Sequence, residues 1–364
     1  MDLRTRSMES LAPIPPWPGE FVALNDEQVF VRSAPVPAGQ SADAEPALCV
    51  HGFGGSSTNW TDLMDLLRQA SAAVMPDPAR LDGPAVQAPA AVRQRAVGMA
   101  PALACDAVDL PGFGYSPPPE AGRYTVSSQA EAVATLIERR GRGPVHLIGN
   151  SLGGAVCTRV AATRPELVRT LTLISPAMPD LWPRLAVVRF PPLCVPGLGP
   201  WLLRRGRTVP AKTRVELTYA SIFFDWSGVP QERLAEEIAE AERRDRLEYD
   251  DGVLLASARS IVTEYLRRGT GSLWRDAARV TAPSLVIYGS HDKLVDPRMA
   301  GRAARAFGDG RIVVLPRTGH VAQMEHPEVV AAEIRRLVAP RARDAGQDGA
   351  ARPGGRECRA GAPG

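Results

Sequence analysis

Apolar residues fall along this chain in short, nearly unbroken blocks, and most blocks end at a loop bearing glycine. Ala47–Val50, Leu103–Val108, Val145–Ile148, Leu171–Ile174, Ser284–Gly289 and Arg311–Leu315 have this form. Such blocks lack the polar alternation of a half-solvated sheet and predict strands covered on both faces. The stretches between them predict helices around Trp60–Arg68, Gly154–Ala162, Pro230–Leu247 and Gly252–Arg268. Strands alternating with helices imply an α/β chain built on a mostly parallel sheet.

One strand-to-helix junction carries candidate chemistry. Gly149-Asn150-Ser151-Leu152-Gly153 lies between the block at Val145 and the helix at Gly154. A serine between two glycines at such a turn is a nucleophile elbow, which holds a hydroxyl clear of the sheet at the positive end of a helix. Two further strand ends run into glycine-rich loops, His51-Gly52-Phe53-Gly54-Gly55 and Asp109-Leu110-Pro111-Gly112-Phe113-Gly114. In a parallel sheet these loops gather at the carboxyl edge, where ligands bind. Acyl transfer needs N–H donors for a developing oxyanion. The backbone of Phe53, with Gly54 as the fallback, and that of Leu152 are the expected donors. Gly112 and Gly114 are expected to serve a tight turn.

A serine of this kind needs a base, and the base needs an acid. Of the five histidines, His51 opens the loop before Phe53 and reads as a structural hydrogen bonder. His146 lies within a strand, His326 precedes Pro327 at a helix start, and His291 adjoins Asp292, so the two side chains diverge. His320 remains, at the end of a strand and glycine turn, and is the expected base. The acid should fall between serine and base in chain order. Asp292, directly after the strand Ser284–Gly289, is the expected acid. Asp296, placed to cap a helix at Pro297, is the runner-up, and Asp180 a third option.

Together these motifs resemble the α/β-hydrolase superfamily, along roughly residues 20–180 and 275–338. The segments carrying the resemblance are His51–Gly55 with Asn59-Trp60, Asp109–Gly114 and Gly149–Gly154. Within the superfamily the wording is similar to bacterial lipases and esterases of the monoacylglycerol-lipase-like kind. It also resembles carbon–carbon bond hydrolases of aromatic ring cleavage, through Gly319-His320-Val321-Ala322-Gln323-Met324-Glu325-His326, although Val321 stands where those enzymes carry tryptophan. Epoxide hydrolases and haloalkane dehalogenases share the fold but use an aspartate where Ser151 stands. The resemblance implies a mostly parallel central sheet flanked by helices, with a helical cap inserted after the sixth strand. It also implies a serine hydrolase of carboxylic esters, with Ser151 as nucleophile, His320 as base, Asp292 as acid, and Phe53 and Leu152 forming the oxyanion hole. The alternatives are a carbon–carbon hydrolase, a thioesterase, and a non-catalytic binding protein of the same fold.

Composition narrows the setting. A chain of 364 residues, 45% hydrophobic, is ample for one large core and an insertion. Its net charge of +3 is spread out, with no basic stripe for nucleic acid. No apolar leader and no membrane-length apolar run is visible, so a cytoplasmic enzyme is expected. The five cysteines form no disulfide framework, and no Cys/His cluster has metal-ligand spacing, so neither a metal nor another cofactor is expected. Cys49, Cys105 and Cys157 read as core, Cys194 as part of a proline-rich insertion, and Cys358 as tail.

The expected organisation is a loose segment at 1–18, a core at 19–176 and 276–340, a cap at 177–275, and disordered stretches at 70–102 and 341–364. The expected cap opens with Leu181-Trp182-Pro183 and carries Phe223, Phe224 and Trp226, candidates to line an apolar acyl pocket. Arg184 or Arg189 would instead hold a carboxylate-bearing substrate. Glu236, Glu237, Glu240 and Glu242 read as a solvated helix face. The expected partner is a small ester with an apolar acyl group.

Overall fold

A computed structural model of the chain describes residues 16–25, 27–72, 99–180, 190–267, 269–308 and 310–339. Eight strands form the main sheet: β1 (Gly19–Ala23), β2 (Gln28–Ser33), β3 (Glu45–Val50), β4 (Leu103–Val108), β5 (Val145–Asn150), β6 (Val168–Ile174), β7 (Ser284–Gly289) and β8 (Gly310–Leu315). Their spatial order is β1-β2-β4-β3-β5-β6-β7-β8. β1 pairs with β2 and β2 with β4 in antiparallel sense, and the other neighbours run parallel. The register sets Val50 beside Gly149, Asn150 beside Ile174, Ile174 beside Ile287 and Gly289 beside Leu315. The loops after β3, β5, β7 and β8 therefore leave from one edge of the sheet, where a parallel sheet gathers its ligand-binding loops.

Burial explains the unbroken apolar blocks. Every residue of β5 and β7 is buried, because helices cover both faces of the sheet. On one face lie α2 (Val126–Arg140) and α3 (Leu152–Thr163), whose Val133, Ile137, Val156 and Val160 share a core with Leu147 and Leu173. On the other lie α1 (Thr61–Leu67) and, after β8, α12 (Pro327–Val338), whose Leu63, Met64, Val330 and Ile334 pack with Cys49, Cys105 and Ile287. The helix α2 starts on a Thr125 cap that accepts from the Ser128 N–H, and stops at Gly141 in the left-handed region. The antiparallel β1–β2 hairpin was not among the expected strands. Only Val29 and Val31 of β2 are buried, and its apolar run, Val29-Phe30-Val31, is shorter than the blocks of the parallel strands.

Between β6 and β7 stand the helices α4 (Phe190–Cys194), α5 (Leu198–Arg207), α6 (Ala211–Ile222), α7 (Gln231–Arg244), α8 (Asp250–Leu266) and α9 (Leu273–Ala277), and between β7 and β8 stands α10 (Ala300–Ala306). Thus α7 and α8 begin and end within a few residues of the ranges expected for them. Cys49, Cys105 and Cys157 are buried, as expected, and Cys194 is half-buried in α4. Of the stretch 70–102, Ser71–Ala72 and Met99–Ala100 pair as a two-stranded ribbon, so its base is ordered. Trp17, expected in a loose segment, donates its indole N–H to the Thr61 carbonyl at 3.1 Å. The expectations for residues 1–15, 73–98, 181–189 and 340–364 lie outside the described residues. They include Leu181-Trp182-Pro183, Arg184, Arg189 and Cys358.

One buried guanidinium ties the inserted helices to the core. Arg159 on α3 is 7% exposed. It donates to Asp276 on α9 at 2.9 Å, to both oxygens of Glu264 on α8 at 3.2 Å, to Ser127 at 2.7 Å and to the Gly271 carbonyl at 3.0 Å. Arg159→Leu would strand two buried carboxylates, which costs about 3 kcal/mol or more. Urea unfolding should show a loss of unfolding free energy of that size. A loss below about 1 kcal/mol would mean that solvent reaches both acids.

Candidate active site

The loop after β5 places Ser151. This residue has φ 52° and ψ −116°, a sparsely allowed conformation that costs on the order of 1–3 kcal/mol. The elbow closes because its glycines carry no side chain. A Cβ on Gly153 would stand 2.2 Å from the Val50 carbonyl oxygen. The Ser151 N–H donates to the Ile174 carbonyl at 3.0 Å, and its own carbonyl accepts from the Ala155 and Ala177 N–H groups. The hydroxyl-bearing residue is thereby fixed at the start of α3. Leu152 is the first residue of that helix, where backbone N–H groups have no intrahelical acceptor.

The loop after β3 comes alongside. A Cβ on Gly52 would stand 3.0 Å from the Ser151 Cβ, so the Gly52–Phe53 backbone passes directly beside the serine. His51 holds this loop. The Leu110 N–H donates to its Nε2 at 3.0 Å, which leaves the proton on Nδ1, 2.7 Å from the Gly52 carbonyl. Burial lowers the pKa of this imidazole, so it stays neutral, in keeping with a structural role. Asp109, fully buried, accepts from the Ser57 N–H at 2.6 Å and the Tyr115 N–H at 2.8 Å, joining the two glycine-rich loops. A Cβ on Gly114 would collide with that carboxylate at 2.2 Å, which accounts for the glycine.

The loops after β7 and β8 supply a buried acid–imidazole pair. His320 Nδ1 lies 2.8 Å from Asp292 Oδ2, and the two residues are 4% and 0% exposed. Asp292 Oδ1 accepts from the N–H groups of Leu294 at 2.8 Å and Val295 at 2.9 Å. Burial pushes the pKa of this carboxyl up, but the charge of His320 and these hydrogen bonds outweigh it and hold the group below its ordinary range. An ionised Asp292 only accepts, so Nδ1 carries the proton and Nε2 is left as the basic nitrogen. Asn150, the residue before Ser151, donates from Nδ2 to the His320 carbonyl at 3.1 Å and the Ile174 carbonyl at 3.0 Å. It bridges the elbow and the histidine loop. Among the described residues no hydrogen bond links the Ser151 hydroxyl to His320. Such a contact is often loose without substrate.

The other candidates fall elsewhere. Asp296 caps the turn Pro297–Met299 by accepting from the Arg298 N–H at 3.0 Å, and Asp180 pairs with Arg298 at 2.8 Å. His146 bonds Thr170 and Glu45, each at 2.8 Å. His291 bonds Ser290 on an exposed loop. His326 occupies the first position before α12 but its side chain makes no capping bond there.

Phe223 is buried against Val215, Tyr219, Leu234 and Val321, Phe224 packs on His291 with centroids 4.5 Å apart, and Trp226 meets Tyr219 edge-on at 6.2 Å. All three thus have packing roles.

The acidic face of α7 is not the solvated surface the sequence suggests. Glu237 accepts from Asn59 at 3.0 Å and Thr58 at 3.3 Å, and burial, with the charge of Glu240 next, pushes its carboxyl up to about 7. Glu236 pairs with Arg233 and Glu240 with Arg243. Only Glu242 is exposed as expected. Arg244, also on α7, donates to the Gly54 carbonyl at 2.9 Å, and Arg233 clasps Asp62. The helix therefore lies across the loop after β3. Glu325 (in α11, Ala322–Glu325) was likewise unassigned. It accepts from the Gly319 N–H at 2.7 Å and from the Phe224 and Asp225 N–H groups at 3.0 Å, holding the turn before His320. Asn150 and Glu325 both lie inside the motif segments, the only sequence signal that could have marked them.

Among the described residues no cluster of His, Cys, Asp or Glu is placed to hold a metal ion, and no helix is long and apolar enough to cross a membrane.

Comparison with known proteins places this arrangement in context. The chain is 41% identical to the lipase LipV of Mycobacterium tuberculosis over 78 residues, 21% of this chain and 29% of LipV, so it spans less than a third of that relative. It is 28% identical to the esterase Rv0045c of the same organism, over 65% of this chain and 73% of the esterase. Among solved structures it is similar to the meta-cleavage product hydrolase CumD from Pseudomonas fluorescens, with a TM-score of 0.61 and 16% identity over 88% of this chain and 97% of that one. The last likeness is one of fold. A family model described as the alpha/beta hydrolase fold matches residues 97–327, more than half of the chain, and this protein belongs to that family.

Proposed function

We propose that this protein is a serine hydrolase of carboxylic esters. The observation that carries the reading is the buried Asp292–His320 hydrogen bond at 2.8 Å, tied through Asn150 to the strained serine of the elbow. The Ser151 Oγ attacks the ester carbonyl carbon while His320 Nε2 takes its proton. Asp292 keeps the imidazole in the Nδ1–H tautomer and stabilises the imidazolium that forms. The N–H groups of Phe53 and Leu152 stabilise the tetrahedral oxyanion. The carbon–oxygen bond to the alcohol breaks, and the imidazolium protonates the departing oxygen. Water then attacks the acyl-enzyme, giving its proton to His320, and the acid leaves as Ser151 regains its own. No step calls for a cofactor. Lipase and esterase relatives support an ester substrate over a thioester.

A panel of p-nitrophenyl esters tests this reading. We expect turnover that rises from acetate towards butyrate or octanoate. Each methylene buried against an apolar acyl site contributes about 0.8 kcal/mol, a factor of about four in kcat/KM. Phe223→Ala or Trp226→Ala should flatten that rise more than it lowers turnover of acetate, because each loosens the inserted helices. A flat profile together with rapid cleavage of a ring-fission diketone would replace this reading with carbon–carbon bond hydrolysis.

A further inference from the structure

A cavity of about 590 Å³, counting the open solvent at its mouth, lies between α6, α7 and the turn Ser57–Trp60. Neither Ser151 nor His320 is among the described residues that line it. Its wall holds five carboxylates, Asp62, Asp225, Glu236, Glu237 and Glu325, against the guanidinium of Arg233. Four of those carboxylates already have donors. Arg233 serves Asp62 and Glu236, backbone N–H groups serve Glu325, and the Ser227 N–H serves Asp225. Glu237 differs. Its Oε1 takes both hydrogen bonds from Asn59 and Thr58, and the described residues give Oε2 no donor.

A second, independent feature points into the same space. Tyr219 lines the cavity and is 2% exposed, yet its hydroxyl has no hydrogen-bond partner among the described residues. A buried polar group without a partner costs about 1–3 kcal/mol. Glu236 and Glu237 line the same cavity as Tyr219, and after burial itself their charges raise this phenol's pKa most. The Phe223 ring, centroid 4.9 Å from that of Tyr219, extends an aromatic wall. The carboxylates are not grouped closely enough to hold a metal ion.

We propose that this cavity binds an organic ammonium ion bearing N–H groups, which donates to Glu237 and to the Tyr219 hydroxyl. Above about pH 7, where Glu237 is ionised, its carboxylate supplies the charge, the phenol oxygen a second acceptor, and the aromatic wall a face for the cation. Ester turnover plays no part in the argument, so the site stands or falls separately from the proposed reaction.

The test is titration calorimetry of the full chain with butylammonium chloride, at ionic strength held constant with sodium chloride. Butan-1-ol and tetramethylammonium chloride serve as comparisons. We expect saturable butylammonium binding, weaker binding of tetramethylammonium, and none of butan-1-ol. Glu237→Gln keeps the oxygen that serves Asn59 and Thr58 but removes the charge, and should weaken butylammonium binding by about tenfold or more. Tyr219→Phe should weaken it several-fold, and keeps the test decisive should Glu237→Gln fail to fold. Absence of saturable binding to the wild type would overturn the proposal. So would equal affinity for butan-1-ol, or unchanged affinity in the folded variants. Equal affinity for tetramethylammonium would overturn the hydrogen-bonded pose.

Discussion

Ser151→Ala is expected to lower ester turnover by about 10⁴-fold or more while the protein stays folded. The size of the loss follows from the roles proposed for the loops. Without the hydroxyl there is no acyl-enzyme, and only the oxyanion donors and binding remain. The fold should tolerate the change because the contacts that fix this residue are made by its backbone, through the Ile174 carbonyl and the Ala155 and Ala177 N–H groups. His320→Ala should come close to the same loss, since nucleophile and base act as a unit. Steady-state kinetics, with circular dichroism as the check on folding, would measure both. A folded Ser151→Ala variant that keeps a tenth of wild-type turnover is incompatible with the mechanism.

Asp292→Asn is expected to cost about 10³- to 10⁴-fold in kcat, by presenting the wrong imidazole tautomer to the serine. Asp296→Asn should cost far less, because Asp296 caps a turn. A larger loss at Asp296 would overturn the assignment of the acid. The same substitution has a stability signature with a definite sign. The carboxyl of Asp292 titrates below its ordinary value in the folded protein, so its ionisation favours folding above the unfolded pKa of about 3.9, and that contribution is lost as pH falls through the folded value. The gap in Tm between wild type and Asp292→Asn should thus be full near neutrality and shrink below about pH 4. A gap that widens on acidification would show that the carboxyl is raised instead.

Much of the candidate site was legible in the sequence because its parts sit at strand ends. Ser151, Asp292 and His320 each lie within five residues of the end of an apolar block, and a parallel register carries strand ends to one edge whatever lies between them. The loop after β3 was legible for the same reason. What escaped were side chains whose partners are remote in sequence. Glu237 meets Asn59 across 178 residues and Asp109 meets Ser57 across 52, and no local pattern encodes either pairing. The acidic stretch of α7 was misread on that account. A run of Glu and Arg has the look of a solvated face, but here it is folded down on the loop after β3. The aromatic residues Phe223 and Trp226 show the converse. Their apolarity was plain, yet the choice between lining a pocket and packing one helix on another depends on neighbours such as Val321 and Tyr219 that only the fold brings near.

The central claim is that Ser151 is the nucleophile. It is tested most directly by reaction of the purified protein with a fluorophosphonate, followed by mass-spectrometric mapping of the adduct. We expect one phosphonylated residue, Ser151, with labelling abolished in Ser151→Ala and strongly slowed in His320→Ala. Labelling on another residue, or undiminished labelling of the Ser151→Ala protein, would contradict it.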